Sequence, residues 1–348
     1  MRERALLSHR NMRAAAPGRV LEFCEDFPST ALRFAMAEIP SRLRIATRES
    51  RLAIEQSRIV AAGLRARHPA LAIEIVGITT RGDRVLDRPL AQVGGKGLFV
   101  KELETALDED RADIAVHSMK DVPMQVPEQF ALATFGVRED PRDAFVSLRY
   151  AALEAMPEGA SVGTSSLRRE CQLRRAHPRL TFRALRGNVN TRLAKLEAGD
   201  YDAIILAIAG LARLGFSARI RAPLPLELAL PAIGQGILAV EYAHHRADLA
   251  ALLAPFEEAA TSIAACAERA VGSVVEGSCE VPVGALAQVQ GDSVSLDAFI
   301  GMPDGSRLVR ERAFGPALEA AALGKALGER LLAAGGRVIL DTLSRQTA

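Results

Sequence analysis

Two doubly wound α/β units joined by two chain crossings, followed by a small α+β domain, are predicted by three features of the sequence. Strand-length apolar runs alternate with helix-length segments from Leu43 to about Ile208, as in parallel sheets covered by helices. The alternation breaks at Arg138-Glu139-Asp140-Pro141-Arg142-Asp143 and again at Pro231-Ala232-Ile233-Gly234-Gln235-Gly236. Both segments suit a chain passing between units. From about Ala259 the pattern becomes one helix, three alternating strand runs and a last helix. At 348 residues the chain is also longer than one hydrophobic core supports.

The first unit opens with a buried strand from Leu43 to Thr47, a helix from Ser50 to Arg67 that Ser50 can cap, and a strand from Leu71 to Ile78. A glycine- and charge-rich loop from Thr79 to Gly97 leads into a helix from Leu98 to Asp108 and a strand from Ala112 to His117. The second series has strands at 161–164, 180–185 and 202–208, with helices at 166–176 and 190–198. After the second crossing, Ile237 to Tyr242 returns a strand to the first unit, and two crossings make a hinge. The last domain takes a helix from Ala259 to Val275, strands at 281–289, 293–300 and 307–314, and a helix at 317–334. The expected division is a disordered extension at 1–39, domain 1 at 40–137 plus 236–256, domain 2 at 138–235 and domain 3 at 257–348.

Composition excludes several classes. With 44 basic and 42 acidic residues the chain is close to neutral, and its longest apolar runs are strand-length, so no membrane association is expected. Aromatics are only 4% with no tryptophan, against the stacking platforms of nucleic-acid binders. Cys24, Cys171, Cys266 and Cys279 show neither a CxxC pair nor regular spacing, so neither metal site nor disulfide framework is expected and a reducing cytoplasm fits. Residues 1–35 mix six arginines with Glu3, Glu22, Glu25 and Asp26 and hold no secretory core; Met36 is read as the opening of the folded protein.

The charge is local rather than global. Between Gly163 and Arg192 lie eight arginines against one acid, Glu170. They surround two turns of small residues, Gly163-Thr164-Ser165-Ser166-Leu167-Arg168-Arg169 and Arg186-Gly187-Asn188-Val189-Asn190-Thr191-Arg192, each between a strand and a helix start. Backbone N–H groups at a helix start favour an anion, and guanidinium adds bidentate carboxylate recognition, so this is a receptor for a small polyanion. Ala112 to Pro123 is a buried strand that turns polar at its end, where Lys120 and Asp121 are either site residues or a solvated turn. Gly94-Gly95-Lys96-Gly97 lacks the earlier glycine and the following Ser or Thr of a phosphate loop and reads better as a glycine lid carrying one cation.

Arg48-Glu49-Ser50, Gly94 to Glu102, His117 to Pro123, Gly163 to Arg169, Arg186 to Arg192 and Cys279-Glu280-Val281-Pro282 together resemble the porphobilinogen deaminase (hydroxymethylbilane synthase) family, in order, from about residue 40 to the C-terminus. The resemblance implies two domains like those of periplasmic binding proteins plus a third, and one dipyrromethane cofactor held by a thioether on Cys279. It implies a transferase of tetrapyrrole and heme biosynthesis that joins four porphobilinogen units into hydroxymethylbilane with release of ammonia, as a cytoplasmic monomer. Asp121 matches the catalytic aspartate. By the same matching Lys120, Thr164, Ser165, Ser166, Arg168, Arg169, Arg186 and Gly187 hold the cofactor, while Arg48, Ser50, Lys96, Phe99, Arg192 and Arg213 serve the substrate. Gln92 and Ser278 depart from lysine and glycine in many relatives. Arg174, Arg175 and Arg179 are expected on solvated surface. The rival reading is a non-catalytic carboxylate-binding protein on the same two-domain scaffold, which needs neither Cys279 nor Asp121.

Overall fold

The computed structural model describes residues 39–80, 100–275 and 281–347. Cys279, Ser278, Lys96, Phe99, Gln92 and the extension at 1–38 therefore lie outside the described residues.

Strands β1 (Arg42–Arg48), β2 (Ala72–Ile78) and β3 (Ile114–Ser118) are parallel, with helix α1 (Arg51–Arg67) and helix α2 (Lys101–Asp108) between them in sequence. They join β4 (Phe130–Thr134) and β10 (Leu238–Ala243) in a five-stranded sheet of order β2-β1-β3-β10-β4. β10 runs antiparallel to both neighbours, pairing Leu238 with Ser118 and Ala239 with Thr134. Apolar side chains alternate to both faces. Leu43, Ile45, Val116 and Val240 meet α1 and helix α6 (Ala247–Leu253) on one side, while Ala46 and Ala115 meet α2 on the other.

The second sheet repeats the plan. β6 (Ser161–Gly163), β7 (Thr181–Arg183) and β8 (Ala203–Ala207) are parallel, and β5 (Asp143–Val146) with the short β9 (Ala222–Pro223) completes the order β7-β6-β8-β5-β9. β5 is antiparallel to β8 and stands where β10 stands in the first sheet. Helices α3 (Leu167–Ala176), α4 (Val189–Glu197) and α5 (Ile208–Arg213) follow β6, β7 and β8. Each sheet thus contains one antiparallel strand laid down just after the chain has crossed over, the doubly wound architecture anticipated above. A third, antiparallel sheet of β11 (Val283–Gln290), β12 (Ser293–Gly301) and β13 (Leu308–Pro316) packs on helix α7 (Ala259–Val274) and helix α8 (Ala320–Leu331).

Several boundaries differ from expectation. The apolar run at 202–208 splits, with β8 ending at Ala207 and α5 starting at Ile208. The expected helix at 317–334 becomes a 3-10 turn, α8, a wide turn at Leu332–Gly336 and helix α9 (Arg337–Thr347), broken where Gly335 takes φ 119°. The third unit touches both others: Ala265 of α7 packs with Met119 and Ile237, and Phe299 and Leu286 pack with Cys171 and Leu230.

Candidate active site at the strand ends

The carboxyl ends of β1, β3, β6 and β7 carry nearly all the described residues among those singled out above, because a parallel strand that enters a helix leaves its connecting turn at that edge. Half-buried Arg48 ends β1, and Ser50 caps α1, its Oγ accepting from the Ala53 N–H at 3.3 Å. β3 ends in a tight turn, Met119–Asp121, anchored by fully buried Met119, whose N–H donates to the Ile237 carbonyl at 3.0 Å. The anchor leaves Lys120 half-buried and Asp121 exposed. After β6, buried Thr164 accepts the Ser166 N–H at 3.2 Å, Ser165 donates to the Leu185 carbonyl at 2.7 Å, and Ser166 caps α3. After β7, Asn188 caps α4. Gly187 has φ 107°, and a side chain there would meet Thr191, so the turn requires glycine.

The two units face each other electrostatically. Burial, with help from Arg169 and Arg168, pushes the Lys120 ammonium down to about 8 against the pull of Asp121 and Asp143. Burial and then the charges of Arg169 and Arg186 push Arg192 down to about 10, with Asp121 opposing. Lys120 and Asp121 of the first unit and four arginines of the second, Arg168, Arg169, Arg186 and Arg192, therefore share one field. That field suits a polycarboxylate.

Arg168 and Arg169, both expected to hold the cofactor, are engaged within the protein. Their side chains are only 6% and 7% exposed and both bind one carboxylate: Arg168 Nη2 lies 2.8 Å from Asp143 Oδ2, and Arg169 Nη2 lies 2.8 Å from Asp143 Oδ1. Arg168 Nη1 also donates to the Leu230 carbonyl, so this guanidinium is turned into the protein. Arg169 donates to the Ile205 carbonyl at 3.0 Å, yet its Nε is buried without a partner. Arg213 is likewise engaged within the protein: Nε meets Glu139 at 2.9 Å and Nη2 donates to the Gly236 carbonyl at 2.8 Å, which fastens α5 to both crossings. Arg192 donates from Nε to the Gly187 carbonyl at 2.8 Å, closing the α4 turn. Of the arginines expected on the surface, Arg175 and Arg179 are exposed, whereas Arg174 is half-buried, paired with Glu170 at 2.7 Å and stacked over Phe182.

Asp143 escaped the sequence reading. It is fully buried and also accepts from Gln235 Nε2 at 2.9 Å. Although burial opposes ionisation, Arg168 and Arg169 hold its carboxyl well below the usual carboxylate range. Its only signal in the sequence was an acid immediately before the apolar run Ala144-Phe145-Val146.

Family profiles match in two pieces: "Porphobilinogen deaminase, dipyromethane cofactor binding domain" over residues 43–251 and "Porphobilinogen deaminase, C-terminal domain" over 262–333. The chain belongs to the porphobilinogen deaminase family. It is 56% identical over 315 residues to the porphobilinogen deaminase of Burkholderia thailandensis, covering 90% of this chain and 96% of that one. A Burkholderia pseudomallei porphobilinogen deaminase matches with the same identity and coverage. Among solved structures, the methionine binding protein MetQ aligns at TM-score 0.40 and 11% identity over 67% of this chain and 95% of that one. The Bordetella pertussis BvgS VFT2 domain aligns at 0.37 and 17% over 68% and 89%.

A dipyrromethane bears acetate and propionate groups, so a fitting site must offer several cations and free donors at one edge. Lys120, Arg192 and the buried, unpartnered Nε of Arg169 meet that requirement, and the capped turns at Thr164–Ser166 and Arg186–Asn188 stand beside them. Among the described residues no group of three His, Cys, Asp or Glu side chains is placed to hold a metal, and no helix is long and apolar enough to cross a membrane.

Proposed function

We propose that the edge described above is where this chain performs its family's reaction, the joining of porphobilinogen units into hydroxymethylbilane with release of ammonia, from a covalently bound dipyrromethane primer. The carrying observation is the shared field of Lys120, Asp121, Arg169 and Arg192 across the two sheets. When bound, dipyrromethane supplies the nucleophilic pyrrole carbon to which the first unit is added. Cys279 is the proposed attachment point, on its match to the family motif.

This chain's own groups then divide the work. Lys120, Arg169, Arg186 and Arg192 hold carboxylates of the cofactor, with Thr164, Ser165, Ser166 and Gly187 shaping their turns, while Arg48 and Ser50 bind the incoming unit, assisted by Lys96 and Phe99. Arg168 and Arg213 act one layer back, through Asp143 and Glu139. Asp121 is placed on an exposed turn with no carbonyl or cation directly bonded to it among the described contacts, so its carboxylate is available to a pyrrole N–H. As ammonia leaves porphobilinogen, positive charge spreads onto the ring; the Asp121 carboxylate stabilises it and then receives the proton the new ring sheds. Domain limits at 137/138, 235/236 and 256/257 are part of this reading, supported by the three separate sheets. So are a cytoplasmic location and a monomeric state, supported by the resemblance.

Intact mass of purified protein tests the primer: the chain is expected to be heavier by one dipyrromethane, and Cys279→Ser to lose it. Asp121→Asn is expected to keep its fold and its affinity for substrate within a few-fold while losing about 10²–10³ in turnover. Near-normal turnover would remove Asp121 from the chemistry.

A further inference from the structure

One buried amide links both crossings to Lys120, and the proposed function gives it no role. Gln235 belongs to the second crossing and is 1% exposed. Its Nε2 donates to the Pro141 carbonyl of the first crossing at 2.6 Å and to Asp143 Oδ1 at 2.9 Å. Both amide hydrogens are thereby committed, so the amide cannot flip without losing two bonds, and Oε1 is left as an acceptor. Lys120 Nζ donates to that oxygen at 3.3 Å. The Gln235 backbone carbonyl also accepts from Arg138 Nε at 2.9 Å, which fixes the residue from below. The chain of contacts runs from Arg168 and Arg169 through Asp143 and Gln235 to Lys120, from one sheet to the other by way of both crossings.

We infer that Gln235 is a positioning residue for Lys120: it aims the ammonium at the cleft and stabilises its charged form through a hydrogen bond whose direction is set by Asp143 and the hinge.

Lys120 needs such help. The groups that face it are Asp121 on its own turn, Asp143 on β5, and Arg168 and Arg169 on α3, so two like charges and burial oppose protonation. A neutral amide oxygen favours the cation without bringing a second buried carboxylate next to Asp143. Because Pro141 and Gln235 lie on different crossings, a bend that separates the crossings breaks the Nε2 bond that orients Oε1 toward the ammonium. Cleft geometry and the charge available for a ligand carboxylate are thus linked through one side chain.

This inference rests on the reading of Lys120 as a ligand-holding cation, and the two are separable. Only five lysines occur in the chain, so competitive acetylation with acetic anhydride, read by peptide mass spectrometry across pH 6 to 11, gives the titration of Lys120 directly without any turnover. In the holoenzyme, Gln235→Met is expected to move that titration down by about one pH unit, the size of one hydrogen bond to a charged group. Gln235→Glu is expected to move it up. A loss of stability alone produces no such reversal of sign. The basic limb of kcat/KM is expected to follow the labelling in both variants. A Lys120 titration that stays put in either folded variant overturns the inference. Lys120→Met with unaltered KM and kcat, by contrast, overturns the ligand-holding reading and leaves the labelling result standing.

Discussion

Asp143 is a single buried carboxylate that faces two guanidiniums and one amide, and most of the candidate site is arranged around it. Removing its charge leaves Arg168 and Arg169 buried and uncompensated. Asp143→Asn is therefore expected to cost about 3–5 kcal/mol of stability at neutral pH, read by thermal or urea denaturation. The folded-state pKa lies below the unfolded one, so this stabilisation is complete above about pH 4 and fades as pH falls toward the folded value. The gap between wild type and Asp143→Asn should accordingly hold from pH 7 to 5 and narrow in stronger acid; a gap unchanged at pH 2 to 3 would assign it to packing instead. At this scale the arginines were legible because they crowd into one stretch of sequence. Their division of labour was not, since what separates Arg168 from Arg192 is an acid 25 residues away from the first of them and a carbonyl, that of Leu230, 62 residues away.

Elements with a full period were readable and those without one were not. α1, with Ser50 as its cap, and β1 to β3 emerge from sequence pattern nearly to the residue. β5 has four residues, follows a charged crossing and shows too few alternations to register, and α5 continues the apolar run of β8 without a break. α9 follows a glycine kink that pattern alone merges with α8 or with a tail. The crossings themselves were visible from composition, but their contact was not. Gly236 has φ 92°, accepts the Glu139 N–H at 3.2 Å and the Arg213 Nη2 at 2.8 Å, and its missing side chain lets the Glu139 carbonyl approach. Gly236→Ala would meet both a disfavoured backbone angle and a backbone oxygen, so a loss of at least 1–3 kcal/mol, roughly, is expected in the melting transition. A variant melting like wild type would mean that the crossings are free to separate.

Across the whole molecule the third sheet is tied to the hinge by one more buried acid. Glu268 of α7 is fully buried, binds Arg138 Nη1 at 2.5 Å and Nη2 at 3.2 Å, and accepts the backbone N–H groups of Gly234 at 2.7 Å and Ala287 at 2.8 Å. One carboxylate thus joins both crossings to β11. Glu268→Ala, which leaves the Arg138 charge without its partner, is expected to lower stability by about 3–5 kcal/mol and, in calorimetry, to split one transition into two as the third unit uncouples. A single transition at an unchanged temperature would deny the coupling. The exchange of strands between the first two sheets carries a consequence for how the protein is made. β3 and β4 are neighbours only through β10, which begins at Leu238, so the first sheet has a gap beside its central strand until the ribosome has delivered the entire second unit and residues up to Ala243. The N-terminal unit, although synthesised first, cannot be the first to finish. Until then two unpaired strand edges stand open in the nascent chain, and its exposure to aggregation or chaperones lasts for the translation of roughly a hundred further codons.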